Sequence, residues 1–475
     1  MLAFLVASAP TSASRPPRLQ ALTARLFAPV DIASLVYFRI LFGGIMAVEA
    51  WLYFHNRWIA LEFIRPKFHF TYYGFEWVHP WPGDGMYYHV AALVLLAVCI
   101  LAGFAYRISA VLFFVGFAYM FLVEQATYLN HFYFVGLVSF LMIFVPAHRK
   151  FSVDALLRPR IASDFAPAWS LWALRAQMGF VYFFGGIAKL NSDWLQGWPI
   201  RLWMPQLDLP VVWRFRDQLW MALFFSYSGL LIDLLAVPLL LWRRTRPSMF
   251  AVLALFHLTN SNLFDIGIFP WFATAMTLLY FEPDWPRRLI GLARRALGRP
   301  VAPPPVAARS PQSRFRTATV TGLAVYFAIQ ILLPLRHWLY PGDVAWTDQG
   351  HRFSWRMKLR EKDVRNVVFQ ITDPETGQSW NANLGPYLMR WQYDEMVFRP
   401  DMLQQFAHYL ADRETRPGHA RVQVRVDAEV SLNGRRFQQM IDPSVDLGSI
   451  PRSLRPAPWI TELTAPRRKS PLNRN

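Results

Sequence analysis

The sequence predicts a polytopic α-helical membrane bundle of about nine transmembrane helices, followed by a small extracytoplasmic α+β domain. Three observations carry this expectation. Charged residues make up 17% of the 475-residue chain, against 54% hydrophobic and 16% aromatic, where a soluble protein carries about 25% charge. The charges are clustered, leaving apolar stretches near the length of about 20 residues that crosses a bilayer. From about residue 340 the composition turns to that of a soluble domain.

The apolar stretches predict spans near 32–54, 88–106, 108–124, 129–146, 168–190, 219–242, 249–263, 266–281 and 318–336. The seventh and eighth are short and nearly contiguous, as in a tight or re-entrant hairpin. Lys and Arg in the connecting loops set orientation. With the N-terminus inside, nineteen basic residues fall in inner segments and six in outer loops. This predicts a cytoplasmic tail over 1–31, a bundle over 32–336 with a proline-rich inner linker at 298–317, and an extracytoplasmic domain over 337–475. The net charge of +18 therefore reflects loop arginines, and nucleic acid is not an expected partner. "MLAFLVASAPTSASRPPR" lacks a basic region ahead of its short apolar run, so no signal peptide is expected. The one cysteine, Cys99, sits in an apolar span, which excludes an intramolecular disulfide.

In the outer domain, "RVQVRVDAEVSL" (421–432) alternates as a strand. "NG" (433–434) is a hairpin signal, with "RRFQQMI" (435–441) as the return strand. "HRFSWRMKLR" (351–360) and 365–380 add strand character, and "DMLQQFAHYLADR" (401–413) has helical spacing with Asp401 at its N-cap.

Polar groups in apolar spans are costly and often functional. Arg39, Arg175 and Asp233 read either as packing partners or as functional groups, and Glu49 as a residue reaching out from a span end. Asn130 and His131 open the fourth span, Lys189 closes the fifth in "GGIAKLNSDW", and His257, Asn260 and Ser261 end the seventh. The topology puts these groups at one outer depth. Lys189 is either an interfacial anchor, since lysine stems snorkel, or an unpaired buried base. Trp194 reads as an interfacial aromatic anchor, and His131 as a capping, core or site histidine. The cluster suits an amphiphilic ligand entering from lipid. It lacks metal-ligand spacing, a nucleophile elbow and a glycine-rich phosphate loop, so no metal is expected.

In "RAQMGFVYFFGGIAKLNSDWLQGWPI" (175–200), "NHFYFVGLVSFLMIF" (130–144), "FHLTNSNLFDIGIFPW" (256–271), "EPDWPRRL" (282–289) and "FSWRMKLR" (353–360), the chain resembles the vitamin K-dependent gamma-glutamyl carboxylase family. That family shares the horizontally transferred transmembrane domain, and the likeness runs from "LFAPVDIASLVYFRILFG" (26–43) to "RRFQQMIDPSVDL" (435–447). It implies an enzyme in which a lysine deprotonates reduced vitamin K. Oxygenation then yields the epoxide through an alkoxide that removes a γ-proton from glutamate, and carbon dioxide adds to the carbanion. The family's catalytic lysine falls on Lys189, and its histidine and neighbouring asparagine on His131 and Asn130.

Desolvation favours a neutral amine, and Asn130 and His131 can donate to a developing oxyanion. His257, Asn260, Ser261, Trp355 and Met357 are the expected quinone contacts, with Phe353, Trp355 and Met357 on one strand face closing over the ring. The expected cofactor is phylloquinol or menaquinol, with oxygen and carbon dioxide as co-substrates. Expected partners are membrane lipid, the quinone and a glutamate-containing peptide or protein. Animal members carry two adjacent lysines where this chain has Ala188 and Lys189, and they extend past its last residue through a luminal region that binds a propeptide. Length, the lone cysteine and Arg/Pro-rich composition suggest a bacterial inner-membrane homologue. Two alternatives stand beside carboxylation: quinol epoxidation or oxygenation without it, and a non-enzymatic quinone-binding protein.

Overall fold

A computed structural model describes residues 18–206, 214–263, 267–301, 303, 305–306 and 315–467. Most of the expected N-terminal tail and residues 307–314 of the expected linker lie outside the described residues. Apart from single turns, the helices are α1 Arg18–Leu26, α2 Ala33–His55, α3 Gly85–Ala102, α4 Tyr106–Val123, α5 Asn130–Phe144, α6 Ala168–Lys189, α7 Leu219–Leu241, α8 Arg246–Leu263, α9 Phe269–Thr277, α10 Trp285–Ala296, α11 Arg316–Leu335, α12 Arg390–Met396 and α13 Pro400–Glu414.

Among the described residues, five helical stretches are long and apolar enough to cross a membrane: Ala33–His55, Gly85–Ala102, Tyr106–Val123, Leu219–Leu241 and Arg316–Leu339. α6 is as long but carries Arg175, Gln177 and Lys189. α5 is apolar but shorter. The expected seventh and eighth spans are α8 and the nine-residue α9.

One apolar core runs through α2–α9, and Trp355 is part of it. α2 and α3 meet backbone to backbone. A Cβ on Gly43 would stand 2.5 Å from the Leu101 nitrogen and 2.7 Å from the Ala97 oxygen. Two in-span arginines serve backbone groups at helix ends. Arg39 donates to the carbonyl of Ala147 at 3.2 Å, and Arg175 to those of Leu279 and Phe281 at 2.7 and 2.9 Å. Bonding to carbonyls that lack helical partners removes most of the cost of their burial. Glu49 is buried rather than reaching outward.

A second core lies under an antiparallel sheet of order β4-β3-β5-β6, formed by Ser379–Asn381, Lys362–Thr372, Gln423–Leu432 and Gln438–Gln439. Two further three-residue strands, β1 Pro29–Asp31 and β2 Phe165–Pro167, pair within the bundle. β5 buries every second residue against α13, as its alternation predicts. The expected return strand contributes only Gln438 and Gln439 to the ladder.

Residues 351–360 are turns rather than a strand, with positive φ at Phe353, Trp355 and Lys358. These turns carry Trp355 into the bundle core. Asp401 is not an N-cap. Arg399 holds that position, and the Asp401 carboxylate accepts from Arg352 Nη1 at 2.6 Å and Gln125 Nε2 at 3.2 Å.

Candidate active site

Lys189 ends α6, and its Nζ points back along the helix to the Gly185 carbonyl at 3.3 Å. It is ion-paired with Asp233 of α7 at 2.6 Å and is 7% exposed. The lysine expected to be unpaired therefore has a partner, because α7 continues past the end of α6. Lys189 sits opposite Gly229 and Asp233, roughly 15–20 Å along α7 from Leu219 at a rise of 1.5 Å per residue.

The two glycines before Lys189 admit α7. A Cβ on Gly185 would stand 2.9 Å from Asp233 Oδ2, and one on Gly186 2.6 Å from Leu234 Cδ2. Trp194 closes the other side. It is buried rather than interfacial, its indole N–H donates to the Ser226 carbonyl at 2.8 Å, and Lys189 Nζ stands 5.3 Å from its ring. A backbone acceptor inside the bundle satisfies the indole, so it needs no water interface.

Residues 353–357 reach this place from the sheet domain. Met357 Cε is 3.6 Å from the Gly185 Cβ position. Trp355 is fully buried against Tyr133 and Phe134, at ring separations of 5.0 and 6.1 Å. Phe353 packs on Tyr128 and Tyr133. Beside them opens a cleft of about 530 Å³ between the end of α6, the end of α11 and the start of the sheet domain. Phe184, Ile187, Leu335 and Trp338 form an apolar wall, and Asn191, Ser354 and Arg356 supply polar groups.

Family models match the chain in two places: an HTTM domain over residues 27–285, and the vitamin K-dependent gamma-carboxylase lumenal domain over residues 315–465. The chain belongs to the vitamin K-dependent gamma-carboxylase family. This carboxylase relative is thus an integral membrane protein with an extracytoplasmic domain. No solved structure matches the chain.

In this carboxylase-family chain the remaining expected residues fall in two groups. His257 accepts or donates through Nε2 to the Tyr182 hydroxyl at 2.8 Å. Its ring stands edge-on to Phe269, 5.5 Å away, and His131 lies on the same phenyl ring at 5.9 Å. One phenyl thus joins the two histidines. Asn130 accepts from the Tyr128 hydroxyl at 3.0 Å, which in turn accepts from the Phe353 backbone at 2.7 Å. Ser261 is exposed, and its hydroxyl donates to Leu258 at 2.9 Å. Asn260 is half-buried one turn past His257. The structure does not bring Ser261 into the cluster.

Asp233 was legible as a buried acid but not as the lysine's partner. A signal was present: it is the only charge in α7, as Lys189 is the only charge in the second half of α6. Tyr182, Asn191 and Arg356 carried no comparable signal, since nothing in their spacing tells which helix they face. Among the described residues no group of His, Cys, Asp and Glu is placed to hold a metal ion.

Proposed function

We propose that the chain is a vitamin K-dependent carboxylase-type membrane enzyme in which Lys189 is the base toward a reduced quinone. The observation that carries this is the buried Lys189–Asp233 pair, with Met357 against Gly185 beside it and with Ala188 and Leu190, the chain neighbours of Lys189, lining a cleft of about 530 Å³. The cleft's size and mixed lining fit a quinol. Two buried nitrogens, Trp355 Nε1 and His257 Nδ1, have no partner among the described residues. A quinone oxygen would supply what they lack. Trp355, Met357 and His257 do not line the cleft; they would hold the ring of a quinone that passes inward from it, with Asn260 toward the tail. Bound there, the reduced quinone supplies the oxygen-dependent epoxidation and the strong base that carboxylation of glutamate needs.

The protein's part is proton handling and exclusion of water. The pair is neutral as a whole, so its proton can rest on either partner. With the proton on Asp233, Lys189 presents a neutral amine. Asn130, its carbonyl taken by Tyr128, offers its amide N–H to developing negative charge, and His131 can offer a ring N–H. Trp194, whose ring lies 5.3 Å from Lys189 Nζ, helps keep the buried amine dry. The topology that follows puts the N-terminus in the cytoplasm and residues 337–475 outside a bacterial inner membrane.

Reduced vitamin K added anaerobically to purified protein, followed by oxygen, should yield epoxide. A glutamate peptide should gain label from bicarbonate. Epoxide without label would leave quinol epoxidation alone. Lys189→Arg separates base from anchor, because arginine keeps the Asp233 pair yet cannot give up its proton. Near wild-type epoxide from that variant would end this reading.

A further inference from the structure

α10 lies at the arginine-rich end of the bundle, opposite the sheet domain. It leaves the membrane after α9, and the chain returns through α11. Its first turn is fixed. Trp285 stands edge-on to Tyr37 at 4.6 Å, and Arg287 binds Asp31 at 2.8 Å and Asp164 at 2.7 Å. Beyond Arg287 only Gly291 is buried.

At 100° per residue the helix divides cleanly. Leu289, Leu292, Ala293 and Ala296 share one side, with Ile290 at its edge, while the arginines take the other. Leu289 and Leu292 are 59% and 62% exposed. Arg294 and Arg295 flank opposite edges of the apolar face. Both are exposed and have no carboxylate partner among the described residues.

We propose that α10 lies in the headgroup layer and binds anionic phospholipid. Leu289 and Leu292 enter the acyl boundary, while Arg294 and Arg295 reach along the helix edges to headgroup phosphates. Two facts favour lipid over a soluble partner. The helix is held by its first turn between two membrane-inserted segments, and its unpaired charge is all positive. Guanidinium groups match phosphate with paired hydrogen bonds, and long basic side chains flanking an apolar face reach headgroup depth. This surface is independent of any quinone chemistry.

Because Cys99 is the only cysteine, Cys99→Ala/Leu292→Cys carries one polarity-sensitive fluorophore on the full chain. Emission should be apolar in phosphatidylcholine nanodiscs and shift further with added phosphatidylglycerol. Native mass spectrometry should find phosphatidylglycerol retained on the otherwise unmodified protein. Arg294→Gln/Arg295→Gln should lower that affinity roughly 25-fold, at about five-fold per charge. Water-like emission in both bilayers would overturn the proposal, as would retention unchanged by the double substitution. An emission shift in detergent that grows with protein concentration would assign the face to a second copy instead.

Discussion

Lys189 and Asp233 stabilise one another only as a pair. Each is buried, and each alone would be an uncompensated charge among apolar side chains. Lys189→Ala should therefore cost stability as well as epoxide formation, by about 3 kcal/mol from the stranded carboxylate. Lys189→Met/Asp233→Asn removes both charges and should unfold near wild type while remaining inactive. Thermal unfolding in detergent measures both, and a Lys189→Ala protein that melts with wild type would show that Asp233 does not depend on the lysine. The residue type was legible: a lone lysine ending an apolar stretch invites the question. The pairing was not, because residues 44 positions apart meet only through helix packing.

At the scale of elements, α6 and α7 touch along small residues, as membrane helices do where backbones approach. Gly186→Ala should separate them, since its Cβ would meet Leu234 Cδ2 at 2.6 Å and the Leu234 nitrogen at 3.2 Å. The expected cost is about 1–3 kcal/mol, with reduced epoxide because Lys189 and Asp233 move apart. Gly179→Ala, two turns earlier on α6, meets Val237 Cγ2 at 3.4 Å, ordinary contact. It is the control and should change the melting temperature little. Equal effects from both would remove close helix approach as the reason for the glycines. The pair "GG" showed that something comes close here, and only the packing showed that it is α7.

At the scale of the whole molecule, two of the polar junctions that hold the sheet domain are built on buried carboxylates. Asp193, just past α6, accepts from Asn433 Nδ2 at 2.8 Å and from Arg435 at 2.7 and 2.8 Å, and also pairs with Arg467. Glu124 accepts from Gln392 at 2.8 Å and from the Phe70 backbone at 3.2 Å. Burial pushes the Asp193 carboxyl up, but hydrogen bonds from Arg435 and Asn433 and the charges of Arg435 and Arg467 outweigh it and hold it below the ordinary value. A carboxyl lowered on folding contributes stability that is present above its unfolded value near 3.9 and is lost as pH falls through the lower folded value. Docking should therefore persist at pH 5 and weaken only below about 4. Asp193→Asn should weaken it at neutral pH by about 3 kcal/mol, leaving two arginines partly uncompensated. Protease sensitivity of the 336–350 connection reads out both, and an Asp193→Asn protein cleaved no faster than wild type would exclude this junction as a clasp. The nineteen-to-six distribution of basic residues predicts which way the assembly faces. Alkaline phosphatase fused after Asn475 should be active, whereas an active cytoplasmic reporter there would reverse the topology.

The sequence by itself determined the membrane class, the change to a sheet domain near residue 340, the β5 alternation, and the family, through motifs spread along both parts. These follow from composition and short-range periodicity, which local chemistry dictates. Only the tertiary structure decided what Lys189 faces, that Trp194 is buried, that residues 353–357 turn into the bundle instead of forming a strand, and that Asp401 binds Arg352 rather than capping its helix. Each depends on which distant groups share one place. A lysine seeks an acid, an indole N–H an acceptor and a carboxylate a cation, and burial makes those demands strong enough to override local propensity.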